Sequence, residues 1–236
     1  MFGVNYTGSD GTIAFRTASD INQAMGRVYG YMALATVVSM LVSFIVGSDP
    51  ALVKFFFTGI MHWIVIFAPL VAVFLLVPFI SAEPPKGLAI TALVGFAALM
   101  GLSFAVIFAV YTMASIFGAF MSASVLFAVM SFYGYFTKQS LDSIGKWAFV
   151  GLIAIIIASI INMFIGSSVM QMVISAVAIL IFLALTAYDT QTIREQISED
   201  TSTAVEVLGA LTLYLDFINL FINLLQLFGV VKGSDD

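Results

Sequence analysis

The segment LYLDFINLFINLLQLFG, residues 213–229, is almost apolar enough to cross a membrane, yet it contains one carboxylate and three amides. At 100° per residue, these four side chains fall within an arc of about 80° on a helix. They are Asp216, Asn219, Asn223 and Gln226, and Thr212 lies on the same side. A charged Asp at the centre of a lipid-facing helix costs roughly 2.5–3.5 kcal/mol. The segment therefore predicts a helix whose polar seam faces a bundle interior or a water-filled cavity.

The composition of the whole chain places it in a membrane. Of its 236 residues, 62% are hydrophobic and only 9% are charged, and the mean hydropathy is +1.14. Soluble domains carry about 25% charged residues. A globule of this length has too little interior to hide so much apolar side chain, so lipid must be part of its solvent. The fold class predicted is an all-α polytopic membrane protein.

Apolar runs separated by short polar segments predict seven spans of about 20 residues each. They lie at about 28–47, 59–80, 87–109, 113–136, 147–165, 168–190 and 204–229. Ser19 or Asp20 is expected to cap the helix that leads into the first span. The predicted organisation is a polar N-terminal segment (1–26), a seven-helix bundle (27–230) and a short acidic tail (231–236).

Several classes of site and signal are not expected. Cysteine is absent, so neither disulfides nor thiolate metal sites can form. The net charge of −5 gives no indication of a nucleic-acid-binding surface. Residues 1–26 lack the pattern of a removable signal peptide. No resident cofactor is predicted, and the partner expected from composition is the lipid bilayer.

The distribution of Lys and Arg predicts the orientation of the chain. With a cytoplasmic N-terminus, six basic residues lie on the cytoplasmic side: Arg16, Arg27, Lys86, Lys138, Lys146 and Arg194. Only Lys54 and Lys232 then lie on the other side. The count favours an N-in, C-out arrangement, while a re-entrant last segment would leave the C-terminus inside.

A second acidic residue is available as a partner for Asp216. Asp189 lies near the end of the sixth span in LALTAYDTQTIRE. Asp216 lies roughly 20 Å into a helix that begins near residue 203, and Asp189 lies roughly 15 Å from the end of a sixth helix extended to Glu199. In an antiparallel hairpin, the two carboxylates would differ by about one turn in depth. The alternative is a surface Asp189 paired with Arg194.

Two carboxylates in a low-dielectric seam cannot easily both ionise, so the pair is expected to share a proton. Loss of that proton leaves two repelling charges that attract a cation. Oxygen ligands suit a hard ion such as Ca²⁺. This predicts a proton-controlled latch on a cation path, with Asp189 and Asp216 as transient Ca²⁺ ligands and Arg194 as a counter-charge at its mouth. Asn219, Asn223 and Thr212 support the seam, although the amides can also serve only as hydrogen-bonding contacts between helices.

The segments AYDTQTI (187–193) and LYLDFINLFINLLQL (213–227) resemble the two signature segments of the Bax-inhibitor family, also called the transmembrane Bax inhibitor motif proteins. RVYGYMALA (27–35) and FYGYFTK (132–138) are similar to family segments as well. The resemblance implies a central seventh helix wrapped by six others, and a pH-sensitive calcium leak with Asp189 and Asp216 as its sensor. It also implies a bacterial inner-membrane location, a cytoprotective role, and a membrane-bound protease as partner. Some relatives place a basic cluster after the second span, where this chain has only Lys86.

Other functions with two aspartates or seven helices fit less well. An intramembrane aspartyl protease requires Gly-x-Gly-Asp at its second aspartate, where this chain has Tyr214-Leu215-Asp216. A retinal-binding pump requires a lysine inside the seventh helix, and no predicted span contains one. We therefore expect no enzymatic activity. The rival that stays open is a non-transporting membrane protein that binds and restrains a membrane protease.

Overall fold

The computed structural model describes residues 5–7, 13–15, 17–200 and 202–232. Arg16 and parts of the predicted N-terminal segment and acidic tail lie outside these residues. A short antiparallel hairpin, β1 (Asn5–Thr7) and β2 (Ile13–Phe15), precedes the helices. The helices are α1 (Ala18–Gly47), α2 (Pro50–Phe56), α3 (Gly59–Ser81), α4 (Lys86–Ser103), α5 (Ala105–Val110), α6 (Met113–Phe136), α7 (Asp142–Ile165), α8 (Ser168–Glu199) and α9 (Thr203–Phe228).

Seven membrane-crossing helices are confirmed in the described part of the chain: α1, α3, α4 with α5, and α6 to α9. The first helix begins before the expected position because Thr17 is the N-cap. Its side chain accepts from the backbone N–H of Asp20, and the Asp20 carboxylate accepts from the backbone N–H of Thr17. This capping box uses Asp20 at the third helical position, not as the cap. At the other end of the chain, α8 continues well past residue 190.

The seventh span is the axis of the bundle, as predicted. Helix α9 packs against α8, α1 and α6, and also against α4 and α3. By contrast, α7 packs against α8 from the outside. The large exposed side chains of α3, α6 and α7 are mainly Phe, Ile, Val and Leu, as expected of surfaces that face lipid. The all-α fold with a central polar-seamed helix is thereby confirmed.

Helix α9 crosses the whole bundle and is not re-entrant. Its first turns lie beside the start of α1, where Glu206 contacts Arg27. After its last turn, the chain pairs with the α5–α6 junction: Thr112 N–H donates to Val230 O (3.1 Å), and Lys232 N–H donates to Val110 O (2.8 Å). The first described helix therefore begins on one face of the bundle and the last ends on the opposite face, as expected for seven spans.

Candidate functional site

The orientation of Asp189 on α8 is set by the residues on either side of it. The ring of Tyr188 packs so closely on Gly145 of α7 that a Cβ there would lie 2.5 Å from the ring. Thr190 Oγ1 donates to Ser131 Oγ of α6 (3.3 Å). Because both flanking side chains are engaged by α6 and α7, the carboxyl of Asp189 is directed towards α9.

Helices α8 and α9 form an antiparallel hairpin with a close approach at a glycine. A Cβ at Gly209 would lie 2.8 Å from Ile193 Cγ2. Gly209 is two turns before Asp216 on nearly the same face of α9, so this contact brings the face with Asp216 against α8. Gly209 and Asp216 therefore lie at the same interface between α8 and α9.

Asp189 and Asp216 meet between these two helices. Asp216 is only 5% exposed and Asp189 is half-buried. Oδ2 of Asp216 is buried and accepts no hydrogen bond from the described donors. The Asp216 carboxyl lies within hydrogen-bonding reach of the Asp189 carboxyl. An ionised carboxylate can only accept hydrogen bonds, so a hydrogen bond between the two acids would require one of them to carry a proton.

Basic side chains are not part of this contact. Arg194 Nη1 donates to the backbone oxygen of Tyr135 (3.1 Å), and its guanidinium lies 4.9 Å from the centroid of the Tyr135 ring. Lys86 Nζ lies 6.0 Å from the ring centroid of Tyr31. Among the described residues, the alternative arrangement, an ion pair between Asp189 and Arg194, does not form.

The seam of α9 continues from the acid pair to the C-terminal end of the helix, but its amides form different hydrogen bonds from one another. Asn219 Nδ2 donates to Leu215 O and Asn223 Nδ2 donates to Asn219 O, both at 2.8 Å within the helix. These two are half-buried, as is Thr212 one turn before Asp216. The hydrogen-bonding contact between helices that the sequence suggested is formed by Gln226, whose Oε1 accepts from side chains of α8.

A cluster of hydroxyl groups contacts the opposite side of α9, and no pattern in the sequence indicates it. The Tyr214 hydroxyl and Ser39 Oγ are 2.6 Å apart, and Ser39 Oγ donates to Ala97 O (2.7 Å). Tyr214 is fully buried, with its ring edge-on to Phe96. This cluster ties α9 to α1 and α4 two residues before Asp216, so the acid cannot turn away from α8.

An ion pair in the first turns of α9 was also not predicted from the sequence. Arg27 donates through Nε and Nη2 to the two oxygens of Glu206, at 2.8 and 2.5 Å. The Glu206 side chain is 6% exposed and that of Arg27 is 41% exposed. A bidentate pair is the strong geometry for arginine and carboxylate. The signal was present in TAVEVLGA, where one acid lies among apolar turns and so requires a partner.

Comparisons with known proteins identify relatives of this chain. The family model described as "Inhibitor of apoptosis-promoting Bax1" matches residues 21–233. The chain is 36% identical over 211 residues to "Inner membrane protein YbhL" of Escherichia coli K12, covering 87% of this chain and 90% of YbhL. It is 34% identical over 215 residues to RP147 of Rickettsia prowazekii, covering 89% and 90% of the two chains. Over 138 residues it is 43% identical to the membrane protein SpyM3_0260 of Streptococcus pyogenes, covering 57% and 60%.

Proposed function

The chain belongs to the Bax inhibitor family, and we propose that it is a pH-sensitive cation leak with calcium as its cargo and the pair Asp189–Asp216 as its gate. The observation that supports this proposal is the contact of the two carboxyls at a buried helix interface. A purely structural interface would be better served by apolar side chains, because a buried carboxyl costs free energy unless it has a partner.

The direction of the pH response follows from the hydrogen bond between the acids. At low pH, a proton joins the two carboxyls and α8 stays against α9. As the pH rises, the proton leaves and both acids are ionised. Two unit charges about 4 Å apart repel by about 4 kcal/mol at an effective dielectric constant of about 20. The contact then opens or admits a cation, so cation flux rises with pH.

The seam supplies a path suited to a hard cation. From the acid pair it runs outward past Asn219 and Asn223 to Gln226, all with amide oxygens. Calcium is bound by about 6–8 oxygen ligands. Within the described residues no cluster of three or more His, Cys, Asp or Glu side chains could hold a metal ion. Two carboxylates with water therefore suit brief contact with a passing ion.

The same proposal sets the location and partners of the protein. It is a multi-pass membrane protein with seven crossing helices. YbhL is an inner membrane protein by name, and we place this chain in the same membrane of a bacterial cell with the start of α1 on the cytoplasmic side. Its ligands are Ca²⁺ and protons, and its role is transport, not enzymatic.

Calcium entry into dye-loaded liposomes tests the proposal. Wild-type protein should give an influx that increases from acidic to alkaline pH. Asp216→Asn cannot become the second charge of the pair, so its influx should be low and independent of pH. Asp189→Asn should behave in the same way.

The matched control is Asp49→Asn, which changes an exposed carboxylate on the outer face. Asp49 is the N-cap of α2, and Asn is an equally good N-cap. Its flux and pH response should equal those of the wild type. If both Asp→Asn variants gave a calcium influx with the same pH response as the wild type, Asp189 and Asp216 would not be the gate. No flux from any folded protein would favour the rival role, a membrane regulator that binds a protease.

A further inference from the structure

A second feature of the bundle lies in its outer half, away from the acid pair. A cavity of about 460 Å³ separates α1 from α6, with α5 and α9 forming its other walls. Small-molecule sites have volumes of about 300–1,000 Å³. The space is therefore large enough to hold a ligand.

The cavity opens sideways into the membrane. Its mouth is formed by Leu41 and Phe44 of α1 and by Met113 and Phe117 of α6, which also line it. Each of these side chains is between 47% and 67% exposed. All four belong to membrane-crossing helices. Molecules that reach this mouth come from the hydrocarbon of the bilayer.

The walls offer nothing that would hold water or an ion. They are Phe, Ile, Leu and Met side chains except for three hydroxyls, those of Thr36, Ser39 and Ser43. Each hydroxyl donates to a backbone carbonyl. A buried water needs two to four polar partners, so a hydrocarbon chain is the occupant that these walls match.

A cationic side chain contacts the backbone of one residue that lines this cavity. Lys232 Nζ donates to the backbone oxygen of Phe108 (2.6 Å), and Phe108 lines the cavity. An ammonium has three donors, so two stay available for a further acceptor. At the level of the headgroups, that acceptor is a lipid phosphate, and a basic residue there favours anionic lipids.

We propose that the cavity between α1 and α6 binds one acyl chain of an anionic phospholipid from the outer leaflet, with its phosphate beside Lys232. The chain packs against Phe217 at the cavity floor, the residue next to Asp216. Binding does not depend on whether the protein conducts ions, because the site is defined by its apolar walls and its single ammonium.

Photolabelling in vesicles tests this site. The probe is phosphatidylglycerol with a diazirine in its acyl chain, mixed into phosphatidylcholine vesicles that contain the wild-type protein. Peptides from the cavity-lining parts of α1 and α6 should carry several times more label than the lipid-facing residues of α7. Even labelling of all lipid-facing helices would overturn the proposal.

Filling the cavity gives a matched comparison. In Met40→Trp/Met113→Trp, two large rings replace side chains that line the cavity and are 43% and 55% exposed. In Leu34→Trp/Val125→Trp, the same change is made at 42% and 59% exposed positions of α1 and α6 away from it. Label in the cavity peptides should be lost in the first variant and kept in the second. Equal labelling of both contradicts the site.

The headgroup assignment has its own variant, which leaves the helices untouched. Lys232→Gln should lower the preference for the phosphatidylglycerol probe over a phosphatidylcholine probe about fivefold, the effect of one basic residue near a lipid surface. An unchanged preference would show that the phosphate does not lie beside Lys232.

Discussion

Helices α7 and α9 are both long enough to cross the membrane, with 24 and 26 residues, but they occupy opposite environments. In its most apolar window, α9 has 61% of its residues buried, while α7 has 11%. The buried helix has the lowest mean hydropathy of the seven spans. Lipid tails are as apolar as leucine, so hydrophobicity does not drive a helix inward. The position of a helix in the bundle is therefore determined by the polar side chains that must be kept away from lipid.

The largest expected effect concerns contacts between backbones in the interior. A Cβ at Gly134 of α6 would overlap the backbone oxygen of Ala187 in α8 and lie 2.8 Å from its carbonyl carbon. Because backbone cannot move aside cheaply, Gly134→Ala should destabilise the protein by about 3 kcal/mol. The check is the temperature at which the purified protein loses its monodisperse gel-filtration peak, compared with the wild type.

The matched control for this change lies on α7. A Cβ at Gly151 would lie 2.9 Å from Ile181 Cδ1, the tip of a flexible side chain. Gly151→Ala should therefore lower the temperature at which the gel-filtration peak is lost by only a small fraction of the change caused by Gly134→Ala. Equal losses in the two variants would show that α7 is packed as tightly as the interior, and the comparison of the two regions would fail.

The second effect concerns the charge that α9 buries in its first turns. Arg27→Gln leaves the Glu206 carboxylate without its bidentate partner, and we expect a loss of about 2 kcal/mol. The double variant Arg27→Gln/Glu206→Gln removes the stranded charge and should recover most of that loss. Thermal midpoints of the single and double variants measure both values. A double variant no more stable than Arg27→Gln would show that the charge itself is not the cause.

The smallest effect concerns a single hydroxyl. Tyr214→Phe removes the contact with Ser39 while Ser39 still donates to a carbonyl, so the loss should be about 1 kcal/mol. Tyr133→Phe, at a 45% exposed position of α6, should leave the thermal midpoint unchanged. A Tyr214→Phe protein as stable as the control would mean that the hydroxyl cluster does not hold α9 in place.

Much of this architecture could be predicted from the sequence, since long apolar runs and their polar interruptions define the spans. The similar depth of Asp189 and Asp216 could be predicted, because a tight antiparallel hairpin fixes the relative height of residues on two successive helices. That their side chains face each other could not, because it depends on the rotation of both helices. The location of the polar seam on one face of α9 was also predictable, because successive residues of a helix are rotated by 100°.

What the sequence could not provide is the rotation of helices that are distant along the chain. Arg27 and Glu206 are 179 residues apart, and only packing decides that they face each other. The same holds for Ser39 and Tyr214. The partners of Asn219 and Asn223 were unpredictable for a different reason: an amide in a membrane helix can be satisfied by its own backbone or by a neighbouring helix, and the local pattern is identical.

The central claim is that Asp189 and Asp216 hold one proton between them inside the bundle. Infrared difference spectroscopy of the protein in lipid, recorded as the pH is raised, tests it most directly. The account predicts a carboxylic C=O band in the wild type that is still present at a pH where exposed carboxyls have ionised, that disappears as the pH is raised further, and that is shifted or missing in both Asp189→Asn and Asp216→Asn. A band that persists unchanged in those two variants, or a wild-type spectrum with no such band once the exposed carboxyls have ionised, would contradict the shared proton.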